Sequence, residues 1–438
     1  MRQKALLAVG VGVFAAVWLL AVTSPVPSED GVSYLWMAQR FAAGDFRRAL
    51  APVFPPGYPL LLAPWLALGG EAERVAAWFG AAALALSVVP LAEIARSLHP
   101  AAVAPAVVLY GSCSLLLRVA AECYSEPPFL LLMACGTWCG LRGRWWACGL
   151  AAGFAFWIRP EGLVLAAAFA LAQPRVAWRA LLPAALLVLI LASWRAAIGL
   201  GFDLLPLVAF HEGRDDLPER GNLFANVLAL PGPWLEAFGI AGLLAFLAPW
   251  RRQANDHALR WQIVLQVGAI CTFVVRRRFF LSCAVPVFAL AGAAMVRWPA
   301  RWRSAVLAIA VLAGAVFAWN GRIDADRGVE RDLGAWLAGR LQAADGMFAD
   351  RPRIHWFAGR PPGPPRHWTG AQLQDLLTVA RPRFVVLTSR NVFAVSQAWP
   401  DCLRCGGVAA WLLGSLAELP PGLAVAARQR NFLVFERR

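Results

Sequence analysis

Glu29 and Asp30 are adjacent carboxylates about one helical turn beyond the first apolar run of the chain. A carboxylate held in a partly desolvated cavity has a raised pKa and can accept a proton from a reacting hydroxyl. Ser28, Glu29 and Asp30 equally suit the N-cap of a helix starting near Gly31. Glu122 and Glu126 lie four residues apart within Arg118–Pro127. On a helix they would share one face, where like charges repel unless a cation or proton comes between them. They suit a divalent metal, the hydroxyls of a sugar, or a plain solvated loop. Arg159 and Glu161 bracket a proline, as an ion pair at a helix break or as contacts for a ligand. Arg276, Arg277 and Arg278 form a basic run that lipid headgroups or an anionic ligand would explain. The five histidines, His99, His211, His257, His355 and His367, show no metal-ligand spacing. Cys402 and Cys405 make one CxxC with no second pair, a weak zinc signal.

The elements that must position these residues are membrane spans. Of 438 residues, 60% are hydrophobic and only 15% charged, against about 25% charged in soluble globular chains. The net charge of +15 does not point to nucleic acid, because the basic residues cluster between apolar runs. Apolar runs fall near 5–23, 74–96, 101–117, 127–141, 180–197, 233–250, 259–275, 279–296 and 302–319. The segment 147–172 is apolar except for Trp157-Ile158-Arg159-Pro160-Glu161-Gly162, where proline and glycine predict a break.

Charge decides between one pass and two there. With Arg2 and Lys4 inside, two passes put Arg96, Arg142 and Arg144, Arg175 and Arg179, Arg251, Arg252 and Arg260, and Arg297, Arg301 and Arg303 on the inner side. About eleven spans follow, with the first loop, 24–73, and the C-terminus both outside. Arg159 and Arg276–Arg278 break the rule, as charges facing a cavity or a partner do. Within the first loop, Tyr34–Phe46 reads as an interfacial helix and Leu60–Leu68 as a segment along the membrane. The outer loop 198–232 carries His211, Glu212, Asp215, Asp216 and Glu219.

Beyond the membrane part (1–320), residues 321–438 read as a small α/β domain. Helices are expected over 328–344 and Ala371–Val379, and strands at Gly346–Ala349, Ile354–Phe357 and Arg383–Thr388. Leu423–Ala427 and Asn431–Glu436 suggest a hairpin. No P-loop or glycine-rich dinucleotide fingerprint occurs, so no nucleotide cofactor is expected.

Several elements, in order, resemble the GT-C glycosyltransferases, and within them the dolichyl-phosphate-mannose-protein mannosyltransferase-like family. These are Asp30-x-x-x-Tyr34 after the first span, then Gly44, then Phe54-Pro55-Pro56-Gly57-Tyr58-Pro59-Leu60-Leu61. Further along come Glu122–Pro127, Ile158-Arg159-Pro160-Glu161-Gly162, Arg278-Phe279-Phe280-Leu281 through Pro286, and Asp350-Arg351-Pro352-Arg353-Ile354-His355-Trp356-Phe357-Ala358-Gly359-Arg360. The resemblance implies a polytopic helical protein with an extracytoplasmic C-terminal α/β domain, in the cell (inner) membrane.

It also implies an inverting transferase. Such an enzyme takes a sugar from a polyprenyl-phosphate donor and passes it to a lipid, glycan or protein acceptor on the outer face. An acidic first-loop residue serves as general base, and Asp30 matches that position, with Glu29 its neighbour. The acidic order here is Glu-Asp where many relatives have Asp-Glu, and Phe54 stands where many have His or Lys. Tyr34, Glu122, Glu126, Arg159, Glu161 and Arg276–Arg278 are the expected substrate contacts, the arginines because their planar fork suits phosphate. A divalent metal held by Asp30 and Glu126 is one option the residue types leave open.

Two readings of other classes stand beside this one. A transporter or lipid flippase would also place charge within spans, but with paired repeats broken in both halves. A non-catalytic membrane protein with an outer sensor domain would not need acidic residues on several outer loops.

Overall fold

The computed structural model describes residues 3–23, 26–52, 54–202, 223–249, 254–272, 275–321, 325–349, 351–361, 379, 382–388, 423–429 and 432–437. The loop acids and histidine around 211–219, Cys402, Cys405 and most of the helix expected over 371–379 lie outside these residues. The chain forms two units. One holds Met1–Pro25 and nearly all of the chain from Met37 to Ile323; the other holds Val26–Trp36 and the chain from Asp324 on. The opening of the first loop thus groups with the C-terminal segment rather than with the spans.

The first unit is helical. Its first half comprises α1 (Gln3–Thr23), the later part of α2 (Glu29–Ala42), α3 (Phe46–Leu50), α4 (Gly57–Ala67), α5 (Ala72–Leu98), α6 (Val103–Gly111), α7 (Ser114–Ala121), α8 (Glu126–Leu141), α9 (Trp145–Ile158), α10 (Leu163–Ala172) and α11 (Ala177–Ala197). Its second half comprises α12 (Leu223–Ala229), α13 (Pro231–Phe238), α14 (Ile240–Leu247), α15 (Ala254–Cys271), α16 (Ala284–Met295) and α17 (Ala300–Asn320). In α17, Ile309, Leu312 and Phe317 are each about two-thirds exposed. Apolar area left in water costs roughly 25 cal/mol per Å², so this surface belongs against lipid.

Among the described residues, four helices are long and apolar enough to cross a bilayer: α1, α5, Pro174–Ala197 and α17. A fifth is added if Pro100–Gly111 and Ser114–Ala121, bent by 53°, make one span. That bend falls inside the single span expected at 101–117. The span expected at 233–250 is likewise divided into α13 and α14 at Gly239, whose φ of +53° only glycine adopts readily. The break within 147–172 falls at Arg159, where Pro160–Gly162 form a 3₁₀ turn between α9 and α10. Pro160 lacks an N–H and disfavours helical geometry at the residue before it; Arg159 is accordingly extended, with φ −152° and ψ 135°. Helices such as α8, α9 and α10 (16, 14 and 10 residues) fall short of the ~20 needed for a crossing, so the count of eleven stays an expectation.

Two glycines set the surroundings of Arg159. A Cβ on Gly57 would lie 2.7 Å from the Trp157 carbonyl, so the Pro-Pro-Gly-Tyr turn seats α4 directly on the end of α9. A Cβ on Gly162 would overlap the backbone of Ala155 and Phe156, so only glycine lets the chain fold back tightly after Pro160. The Trp157 indole donates to Leu187 O at 2.9 Å and ties the end of α9 to α11.

In the second unit, β1 (Met347–Ala349) pairs parallel with β2 (Phe384–Thr388). β2 pairs antiparallel with β4 (Phe432–Arg437), and β4 with β3 (Leu423–Gln429), giving the sheet order β1-β2-β4-β3. Helix α18 (Ala325–Ala338) lays Val329, Leu333 and Leu337, one stripe at helical spacing, on Phe384, Val386, Phe432 and Val434 of the sheet. The strand expected at Ile354–Phe357 is instead helix α19 (Pro352–Phe357). Its β-prone residues are overridden by Pro352 in the first turn, where proline starts helices.

His355 in α19 is buried, and its Nε2 accepts the Ala349 N–H at 3.0 Å. Burial pulls its pKa from 6.5 down to about 4. The unfolded chain therefore takes up a proton that the folded unit refuses between those values. Stability contributed by neutral His355 is full above pH 6.5 and is lost as pH falls toward 4, by about 3 kcal/mol in all. His355→Gln is expected to remove that part of the acid dependence. Melting curves of both proteins between pH 7 and 4 check it, and parallel curves would contradict it.

Candidate active site

Several of the charged residues singled out above gather in two polar clusters, one in each unit. In the first unit, Arg159 donates from one terminal nitrogen to Glu126 Oε1 at 2.9 Å and from the other to Glu161 Oε1 at 2.9 Å. Arg278 Nε lies 3.3 Å from the same Glu126 oxygen. Residues from three separate motifs thus meet. Glu126 starts α8, with Pro127 and Pro128 in its first turn, where the helix dipole favours a negative charge. Arg159 ends α9, and Arg278 precedes the 3₁₀ turn Phe279–Cys283.

Burial explains why this cluster is balanced. Glu126 is 2% and Arg159 9% exposed, and charges that deep persist only when paired. Two guanidinium groups face two carboxylates. Glu126 Oε2 is buried and without a hydrogen-bond partner among the described residues. The Arg278 guanidinium lies 4.4 Å from the Tyr124 ring centre, a cation–π contact. Tyr124 follows Cys123, which has φ +60°, a backbone state that non-glycine residues adopt rarely and at some cost. Arg118 lies 3.4 Å from Glu122.

The three arginines of the basic run part company. Arg276 and Arg277 are exposed, and Arg277 reaches Glu236 at 3.5 Å, whereas the half-buried Arg278 reaches the buried cluster. Of the alternatives for Arg159, the ion pair at the helix break is the one observed. Its terminal nitrogens are directed at carboxylates.

In the second unit, Ser28 caps α2: its hydroxyl accepts the Gly31 N–H at 2.8 Å. The helix therefore begins earlier than the expected Tyr34–Phe46. Asp30 and Tyr34 are buried at 7% and 5% exposure. Glu29 Oε1 accepts from Arg351 at 2.8 Å and lies 4.0 Å from Arg353. Arg353 in turn pairs with Glu330 of α18. Burial pushes the Glu330 carboxyl up, against the pull of Arg353.

Reading the sequence missed Arg351, Arg353, Glu330 and Tyr124 as members of these clusters. Arg351 and Arg353 stood inside a quoted motif, but nothing in it named Glu29 as their partner. As for a metal, among the described residues no group of three or more His, Cys, Asp or Glu gathers. Glu126 Oε1 already faces two guanidinium groups, a poor donor set for a cation.

The chain matches no protein-family model and no curated protein. It does match solved structures. Two are crystal structures of ArnT from Cupriavidus metallidurans. The one bound to undecaprenyl phosphate aligns with a TM-score of 0.69 at 15% identity, covering 100% of this chain and 99% of the other. The apo structure aligns with a TM-score of 0.66 at 15% identity, with the same coverage.

The chain has the ArnT fold. That makes it a polytopic helical membrane protein in architecture, and agrees with the GT-C resemblance at the level of fold. The narrower mannosyltransferase-like grouping rests on sequence motifs alone. On the ArnT fold, the agreement extends over both units rather than over the spans only.

Proposed function

We propose that the protein is a membrane glycosyltransferase that moves a sugar from a polyprenyl-phosphate-linked donor to a lipid, glycan or protein acceptor on the outer face. The observation that carries this reading is the end-to-end likeness to ArnT bound to undecaprenyl phosphate. The joining of Glu126, Arg159, Glu161 and Arg278 from separate motifs supports it.

In the proposed reaction Asp30, ionised, takes the proton of the acceptor hydroxyl. The freed oxygen attacks the anomeric carbon from the side opposite the phosphate. The bond from that carbon to the phosphate oxygen breaks, the polyprenyl phosphate leaves with the electron pair, and the configuration inverts. Negative charge grows on the leaving phosphate, and guanidinium groups stabilise it. Arg278, only partly buried at 24% side-chain exposure, and the exposed Arg276 are the candidates for that contact. Arg159 holds the two carboxylates in place. Glu126 Oε2 is suited to accept a hydroxyl of the sugar.

Membranes of a strain lacking the protein retain unused donor and acceptor, so they serve as substrate for the purified full-length chain. A glycolipid or glycoprotein signal absent from that strain and restored by the protein supports transfer. Restoration of nothing, with movement of a lipid across vesicles instead, would favour the flippase.

Two expected results follow for the site and the topology. Arg278→Ala weakens binding of undecaprenyl phosphate by about 10- to 100-fold, the worth of one charge-assisted contact at roughly 1.5–3 kcal/mol; titration of the purified protein checks it, and unchanged affinity removes Arg278 from the site. Cysteines placed at the exposed Ala43 and Ala338 both react with a membrane-impermeant thiol reagent on intact cells. Labelling at Ala43 without Ala338 would contradict two passes within 147–172.

A further inference from the structure

We propose that Arg351 is a positioning residue for the first-loop carboxylates, so that the start of the C-terminal segment belongs to the machinery of transfer. This rests on the reading of Asp30 as base. Glu29 and Arg351 are 322 residues apart in sequence, yet their side chains meet at 2.8 Å, each 16% exposed. Arg353 approaches the same Glu29 oxygen at 4.0 Å, from the second residue of α19. Arg353 is fixed by Glu330, and both side chains are under a tenth exposed. Glu330 follows Val329, which packs into the core of the second unit.

A continuous chain of contacts therefore runs from that core through Glu330 and Arg353 to Glu29, with Arg351 closing on Glu29 from its own side. The extended backbone at Arg351, with φ −120° and ψ 118°, is the geometry that a following proline favours. The Arg-Pro-Arg spacing aims both guanidinium groups at one carboxylate.

Two consequences follow for Asp30. A carboxylate held by an arginine keeps one rotamer, and Glu29 is the residue beside Asp30 in the first turn of α2. Holding Glu29 holds that turn. Arg351 also cancels the charge of Glu29, which would otherwise oppose ionisation of a neighbouring carboxylate. The base must be ionised and within hydrogen-bond reach of the acceptor, and Arg351 serves both requirements. Glu29, bound to an arginine, is a support and not the base.

The test uses the full-length protein, membranes of the deletion strain as substrate, and undecaprenyl phosphate as binding probe. Arg351→Gln lowers the initial rate by about 10- to 100-fold, the cost of a small displacement of a reacting group. Melting temperature and undecaprenyl phosphate affinity stay at the parent value. Arg351→Lys recovers most of the rate, because it restores the cation. Glu29→Gln gives a partial loss, and Glu29→Gln with Arg351→Gln is no worse than the poorer single variant, since both remove one interaction. Arg331→Gln, at an exposed pair with Asp332, leaves the rate unchanged.

Full rate in Arg351→Gln overturns the proposal. So does a loss that comes only with a lower melting temperature and that Lys does not rescue. If Asp30→Asn keeps its activity, the base assignment falls and this inference with it. If Asp30→Asn is inactive while Arg351→Gln is fully active, this inference alone falls.

Discussion

Replacing Asp30 with Asn is expected to lower the rate of transfer by about 10²-fold or more, since general-base catalysis typically contributes 10²–10⁴. The substitution keeps the size and one acceptor oxygen of a buried side chain and removes its basicity. Helix capping does not offer a competing explanation for such a loss. Ser28 provides the cap of α2 through its hydroxyl, and asparagine caps about as well as aspartate in any case. Melting temperature should therefore stay near that of the parent. Initial rates with deletion-strain membranes decide it. Near-full turnover in Asp30→Asn, with Glu29→Gln inactive, would move the base to Glu29. Near-full turnover in both would remove the first-loop carboxylates from the chemistry.

The largest effect on stability is expected at Glu126. Its Oε1 is shared by Arg159 and Arg278, and it is one of the most deeply buried charges in the first unit. Glu126→Ala leaves Arg159 and Arg278 with only the Glu161 carboxylate of the pair they face, and taking one partner from a buried ion cluster typically costs about 3–5 kcal/mol. Glu126→Gln keeps a neutral acceptor oxygen and should cost clearly less. Thermal unfolding of the detergent-solubilised protein checks the order parent, Gln, Ala. Equal melting temperatures for parent and Ala would mean that the ion cluster is solvated and does not hold the helix break at Arg159.

The parts of this structure that the sequence made legible are those governed by local rules. Pro160 and Gly162 in an apolar run announced the break between α9 and α10, and both act where they stand. The hairpin of β3 and β4 followed from two β-prone runs around a polar turn. The breaks at Ser112–Cys113 and at Gly239 were hidden, because Gly111-Ser112-Cys113-Ser114 and Gly239 are short insertions of small residues in long apolar runs, and small residues also occur within unbroken spans. At Ile354–Phe357 the residue types argued for a strand, and the proline two positions earlier started a helix instead.

In the candidate site, charge types and their approximate depth were readable, but partners were not. For Arg159 the sequence offered Glu161 as a partner but gave no sign of Glu126, 33 residues away, which it meets as closely. The pairing of Glu29 with Arg351 depends on the folded second unit and has no local sequence signal.

One measurement bears most directly on the central claim. The purified full-length protein is incubated with deletion-strain membranes, and the lipids are followed by mass spectrometry. The account predicts loss of a polyprenyl-phosphate-linked sugar, release of free polyprenyl phosphate, and gain of the same sugar mass on one acceptor, in equal amounts and only with protein whose Asp30 is intact. Acceptor glycosylation without release of polyprenyl phosphate, or no change in any of the three species, would contradict it.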